Sequence, residues 1–179
     1  GFSSCSTLFG LKSMTQYSEQ IELLARRLGD VALAKGVMIA TAESCTAGGI
    51  AYAITEVPGS SAWFDRGFVT YTNASKEALL GVKPETLTAN GAVSLAVVEE
   101  MTQGALAHSE AQLAVAVSGI AGPGGAVAGK PVGTVCLAWQ WRGEDAQSHC
   151  ESFSGDRKAV REQTILFALK GLLERLVKR

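Results

Sequence analysis

The sequence predicts a single-domain α/β protein, a three-layer α/β/α sandwich around a mixed sheet. Three observations predict it. Helical and strand patterns alternate through the first two thirds of the chain, the arrangement that lays down parallel strands with helices on the faces. Two strand patterns then follow each other directly across a tight turn, which adds an antiparallel pair. The 20 glycines exceed average usage, and many fall at strand-to-helix junctions, where α/β proteins place ligand loops.

The elements follow in order. Helical periodicity begins near Ser18, with Ile21, Leu24, Leu28 and Val31 on one face and Gly36 as a stop. Residues 37–42 form a short apolar strand pattern, and a helix follows to about Val57. After the loop Pro58-Gly59-Ser60-Ser61, residues 66–71 read as a second strand and 75–80 as a short helix closed by Gly81. A helix is expected from Ser94 to about His108, with Val98, Met101 and Ala105 inward, then a strand over 113–117. A glycine-rich loop from Ser118 reaches Gly133. Residues 134–141 and 147–154 read as a hairpin around Arg142-Gly143-Glu144-Asp145. The last helix starts near Arg157 with Asp156 as N-cap and buries Ile165, Leu169, Leu172 and Leu176. Met14 reads as a natural start, so residues 1–13 are taken as a leader and 14–179 as the domain.

Composition narrows the function. An apolar fraction of 47% and a charged fraction of 18% suit a well-packed globular chain of 179 residues. The formal net charge of -1 offers no basic footprint for nucleic acid. No apolar run approaches the roughly 20 residues of a membrane span. Cys5, Cys45, Cys136 and Cys150 show no metal or disulfide spacing, and with only His108 and His149 in the chain a zinc site has few donors. A reducing cytoplasm is the expected setting. Trp63, Trp139 and Trp141 either fill core or line an interface of a homo-oligomer.

The segment Thr41-Ala42-Glu43-Ser44-Cys45-Thr46-Ala47-Gly48-Gly49 is the richest in chemistry. A strand that ends in small hydroxyl residues and glycines and turns into a helix presents free N–H groups and the positive end of a dipole. A serine at such a bend can act as a nucleophile beside those donors. The alternative is that Ser44 and Thr46 merely cap the helix. Cys45 is the rival nucleophile, although a buried inert thiol is the common fate of a lone cysteine. Neither histidine is well placed as a base, since His108 ends a helix and His149 lies in a strand, both suited to surface positions. Lysine can serve when burial leaves it neutral. Lys76 opens a helix just after the strand that ends at Tyr71, and if that strand lies beside the one before Ser44, all three meet at one sheet edge. Tyr71 would then relay a proton or orient the lysine. A solvated surface lysine is the alternative. The loop from Gly119 lacks the Lys-Ser/Thr of a P-loop and the spacing of a dinucleotide fingerprint, leaving a bare turn or a backbone cradle for phosphate or carboxamide.

Beyond this segment, Gly67-Phe68-Val69-Thr70-Tyr71-Thr72-Asn73, Gly91-Ala92-Val93-Ser94, Ser118-Gly119-Ile120-Ala121-Gly122-Pro123, Lys130-Pro131-Val132-Gly133-Thr134-Val135 and Phe153-Ser154-Gly155-Asp156-Arg157 read as motifs. Together they resemble the CinA C-terminal domain family, whose enzymes are nicotinamide-nucleotide amidohydrolases. The resemblance covers essentially everything from about Ser18 onward. It implies hydrolysis of the carboxamide of nicotinamide mononucleotide to nicotinate mononucleotide and ammonia, in pyridine-nucleotide recycling, with no cofactor and no metal. It implies Ser44 as nucleophile, Lys76 as base and Tyr71 as assistant. Cys45 and Thr46 would supply oxyanion amides, and Ser118, Gly119, Gly122, Gly124 and Arg157 would line the substrate site. Ala47 stands where the family usually has Gly, and the loop over 124–129 is more apolar than is usual there. A paralogue that binds a nucleotide or a partner without turnover is the alternative.

Overall fold

The computed structural model describes residues 16–179. Helix α1 spans Gln16–Lys35 and strand β1 Ile39–Glu43, followed by α2 (Gly49–Thr55) and, after a 3-10 turn at Ser60–Ala62, by β2 (Phe64–Val69). Three helices come next, α3 (Asn73–Leu80), α4 (Pro84–Asn90) and α5 (Leu95–Ala107). The chain then runs through β3 (Leu113–Gly119), β4 (Thr134–Trp141), β5 (Gln147–Ser152) and α6 (Arg157–Val177). The expected leader, residues 1–13, lies outside the described residues.

The sheet order is β2-β1-β3-β4-β5. The first three strands are parallel, and β4 pairs antiparallel with both β3 and β5, so the sheet is mixed as expected. Helices α1, α2 and α6 cover one face over a core that includes Leu28, Ile54, Trp63, Leu113, Trp139 and Leu172. Helices α3, α4 and α5 cover the other, where Leu80, Val98, Met101 and Ala105 meet the alanines of β1 and β3. Strands β1 and β3 are buried on both faces, which is why β3 reads as an unbroken apolar run from Leu113 to Val117 rather than as an alternating pattern.

Register places the strand ends. Glu43 lies opposite Val69 on one side and Val117 on the other. The Thr70 amide then donates to the Glu43 carbonyl at 2.8 Å, and the Ser44 amide donates to that of Val117 at 3.1 Å. Ser44, Thr70 and Ser118 therefore occupy one rung at the carboxyl edge of the parallel strands. Ligands bind at that edge in open α/β sheets.

Two expectations need correction. Residues 82–93, read without an element, contain α4, which opens with Pro84 in its first turn. Cys136 and Cys150, read as unpaired, are directly opposite in the β4–β5 hairpin and form a disulfide. Their spacing of 14 residues has no meaning until the turn and register are known. Trp63 and Trp139 are both core residues, and the Trp139 indole donates to the Ala168 carbonyl at 3.1 Å. No helix among the described residues is long and apolar enough to cross a membrane.

Candidate active site

At the carboxyl edge, Ser44 and Lys76 meet. Helix α3 is fixed at its start by a capping box between Thr72 and Ser75 and at its end by Gly81 in the left-handed region. That places Lys76 on the first turn, facing the sheet, and its side chain is only 1% exposed. Nζ donates to the Thr70 carbonyl at 2.8 Å, reaches that of Tyr71 at 3.5 Å, and lies 3.0 Å from Ser44 Oγ. Burial holds its pKa below the usual lysine value. With two carbonyls to take two N–H groups, a neutral amine keeps its lone pair for the serine hydroxyl. Ser44 is thus neither a helix cap nor an isolated surface hydroxyl, and Lys76 is not a solvated lysine.

The bend after Ser44 holds two consecutive residues in the left-handed region, Ala47 (φ 50°) and Gly48 (φ 90°). Alanine there costs roughly 1 kcal/mol, and the residue is exposed. The N-cap of α2 is Gly48, with no side-chain cap. Instead the buried Glu43 carboxylate takes the helix amides. Oε1 accepts from the Ile50 amide and the Thr46 hydroxyl, both at 2.7 Å, and Oε2 from the Ala51 amide at 3.0 Å. Sequence reasoning offered the positive end of α2 to a ligand. The structure gives it to Glu43, a residue that reasoning did not single out.

A pocket of about 250 Å³ opens beside Ser44 and Lys76, and Cys45, Tyr71, Ser118, Gly119, Gly122, Gly124 and Arg157 line it too. Of the expected site residues only Thr46 is absent from its wall. That side chain turns down to Glu43, and the residue borders a neighbouring depression of about 690 Å³. Cys45 belongs to the core, and burial pushes its thiol up to about 11. Gly119 is glycine for space, because a Cβ there would stand 2.6 Å from Val135 Cγ2. Gly122 needs its glycine for a φ of 83°, whereas Gly124 faces open space.

Arg157 ties the mouth together from the start of α6. One guanidinium nitrogen donates to the Gly122 carbonyl and another to the Tyr71 hydroxyl, each at 2.8 Å. The Tyr71 hydroxyl is therefore engaged with Arg157, and it is the residue's carbonyl that faces Lys76. His108 and His149 are both exposed, as expected. Among the described residues no group of three or more His, Cys, Asp or Glu is gathered as a metal site.

Comparison with known proteins gives the family and the fold. The model of the CinA C-terminal domain matches residues 21–176. The chain is 56% identical to a nicotinamide-nucleotide amidohydrolase PncC of Pseudomonas putida, over 87% of this chain and 97% of that one. It is 48% identical to the PncC of Escherichia coli K12, over 86% and 93%. Among solved structures, the competence/damage inducible protein CihA from Agrobacterium tumefaciens superposes with a TM-score of 0.84 at 50% identity, covering 87% of this chain and 94% of that chain. A CinA superfamily protein from Klebsiella pneumoniae gives 0.86 at 39% identity, covering 89% and 99%.

Proposed function

The chain belongs to the CinA C-terminal domain family, and on that premise we propose that it is an amidohydrolase that converts nicotinamide mononucleotide to nicotinate mononucleotide and ammonia through a Ser44–Lys76 pair. The observation that carries the reading is the 3.0 Å contact between Lys76 Nζ and Ser44 Oγ at the wall of a pocket. The names and the near full-length coverage of the Pseudomonas and Escherichia relatives support the substrate.

Neutral Lys76 takes the hydroxyl proton as Ser44 Oγ attacks the carboxamide carbon. Cys45, at the pocket wall, offers its main-chain amide to the oxyanion. The tetrahedral intermediate collapses as Lys76 returns the proton to the departing nitrogen, which leaves as ammonia and breaks the C–N bond. A water then loses a proton to Lys76 and attacks the Ser44 ester, releasing the carboxylate and restoring the hydroxyl. The pocket takes the pyridine ring. The ribosyl phosphate extends past Arg157 into the adjoining depression, where Lys158 and Arg161 also stand.

Ammonia release from nicotinamide mononucleotide by the purified chain tests the reading. Ser44→Ala is expected to lose several orders of magnitude in kcat, as removal of a covalent nucleophile does, while its melting temperature stays near wild type. A variant that kept most of its kcat would remove Ser44 from the role.

A further inference from the structure

We infer that Glu43 is a positioning residue for the reaction: its buried carboxylate, bonded to Thr46, Ile50 and Ala51, holds the bend that aims Ser44 at Lys76. The inference deepens the proposed Ser44–Lys76 chemistry and rests on it.

The bend is not self-supporting. Between β1 and α2 the chain reverses through Ala47 and Gly48, both with positive φ. The non-glycine residue makes this conformation unfavourable by itself. The main chain supplies turn bonds from the Ala47 amide to the Ser44 carbonyl and from the Gly49 amide to the Thr46 carbonyl. Neither ties the turn to α2 from the strand side. Glu43 does so, as the last residue of β1, clamped between β2 and β3. Its two carboxylate oxygens reach forward to the first turn of α2, seven and eight residues on, and to the Thr46 hydroxyl inside the bend. Ser44 sits between the strand anchor and the bonded turn, so its Oγ direction depends on both.

The same bonds explain a chemical choice. A free α2 N-terminus beside Ser44 would attract an anionic part of a ligand or compete for its oxyanion. The Glu43 carboxylate occupies those amides and leaves recognition to the other wall of the pocket, built from the rung residue Ser118 and the glycine loop. Glu43 is 1% exposed and does not line the pocket, so its action on the chemistry passes through Ser44.

Replacement by glutamine keeps the size but turns an N–H donor toward one of three donors, breaking at least one bond. Thr46→Val removes the hydroxyl donor at constant shape, and Thr46→Ser keeps it. Each protein is assayed for kcat and KM on nicotinamide mononucleotide. The rate of covalent labelling at Ser44 by a small alkyl fluorophosphonate, followed by intact mass, reports the nucleophile without the substrate. Glu43→Gln is expected to lose about 10²-fold in kcat and in labelling rate, the scale of a small misplacement of a reacting group, with KM close to wild type. Thr46→Val should fall in the same two quantities and Thr46→Ser should restore them. If Glu43→Gln fails to fold, the Thr46 pair decides alone. Wild-type labelling and kcat in a folded Glu43→Gln or in Thr46→Val, with only the melting temperature lowered, would overturn the inference and leave the Ser44–Lys76 reading intact. A wild-type enzyme that neither labels at Ser44 nor turns over would overturn both.

Discussion

Ser44 and Cys45 are adjacent hydroxyl and thiol, and the structure separates their fates. Ser44 meets a buried amine, whereas Cys45 packs into the core with its pKa pushed up to about 11 by burial. A thiol with that pKa is almost wholly protonated at neutral pH, so Cys45→Ala should keep kcat and lose only about 1 kcal/mol of stability. A dead Cys45→Ala enzyme with a normal melting curve would reassign the nucleophile. For Lys76 the protonation state is the function. Burial lowers its pKa, so the neutral base is present above that lowered value, and the rate should fall as pH drops through it. Lys76→Arg keeps the charge but cannot give up its proton, and should be as inactive as Lys76→Ala. A pH–rate profile of Lys76→Arg resembling wild type would leave residue 76 only a cation for the substrate phosphate.

At the scale of elements, α3 must be held at a fixed height above the sheet for Lys76 to reach Ser44. Gly104 in α5 sets that height. A Cβ on it would overlap the Leu80 carbonyl group at the end of α3, standing 2.7 Å from its carbon and 2.8 Å from the Leu80 Cα. These are backbone atoms with no rotamer to give way. Gly104→Ala should therefore cost about 1–3 kcal/mol through overpacking and also displace α3, lowering kcat by more than the stability loss explains. Urea unfolding beside kcat checks this, and an unchanged kcat would mean that α3 can shift without moving Lys76. Elements were legible where local chemistry sets them. Asp156 caps α6 as its sequence position implies, with the Ala159 amide donating to its side chain, and the 113–117 run is the core of β3. Helix α4 was illegible because its one buried residue, Leu87, gives no periodicity. The meeting of Ser44 and Lys76 was legible only as a conditional, since parallel pairing of β1 with β2 had to be assumed. Glu43 escaped notice because a carboxylate in an apolar strand end announces nothing until the amides of α2 fold back onto it.

Across the whole molecule, the site carries a stability cost that the two cores must offset. A lysine that is 1% exposed with a lowered pKa folds less favourably when protons are plentiful. The sign follows from proton binding. Between the lowered folded value and the unfolded value of about 10.4, the unfolded chain holds more protons on this group, so stability rises with pH across that window. Below the folded value the penalty is present in full. Lys76→Met replaces the amine with an apolar chain of similar length and removes this dependence, at the constant expense of the donor to the Thr70 carbonyl. The stability difference between Lys76→Met and wild type should then favour the variant most below the lowered folded value and shrink as pH rises from it toward the unfolded value of about 10.4. Titrating groups that do not interact with Lys76 cancel in that difference, provided both proteins unfold in two states, whereas the Cys45 thiol interacts electrostatically with the amine. Urea denaturation of the pair at a series of pH values measures it. Parallel curves would show that Lys76 titrates alike in folded and unfolded chains, and a lysine of that kind would be protonated at neutral pH and unable to act as the base for Ser44.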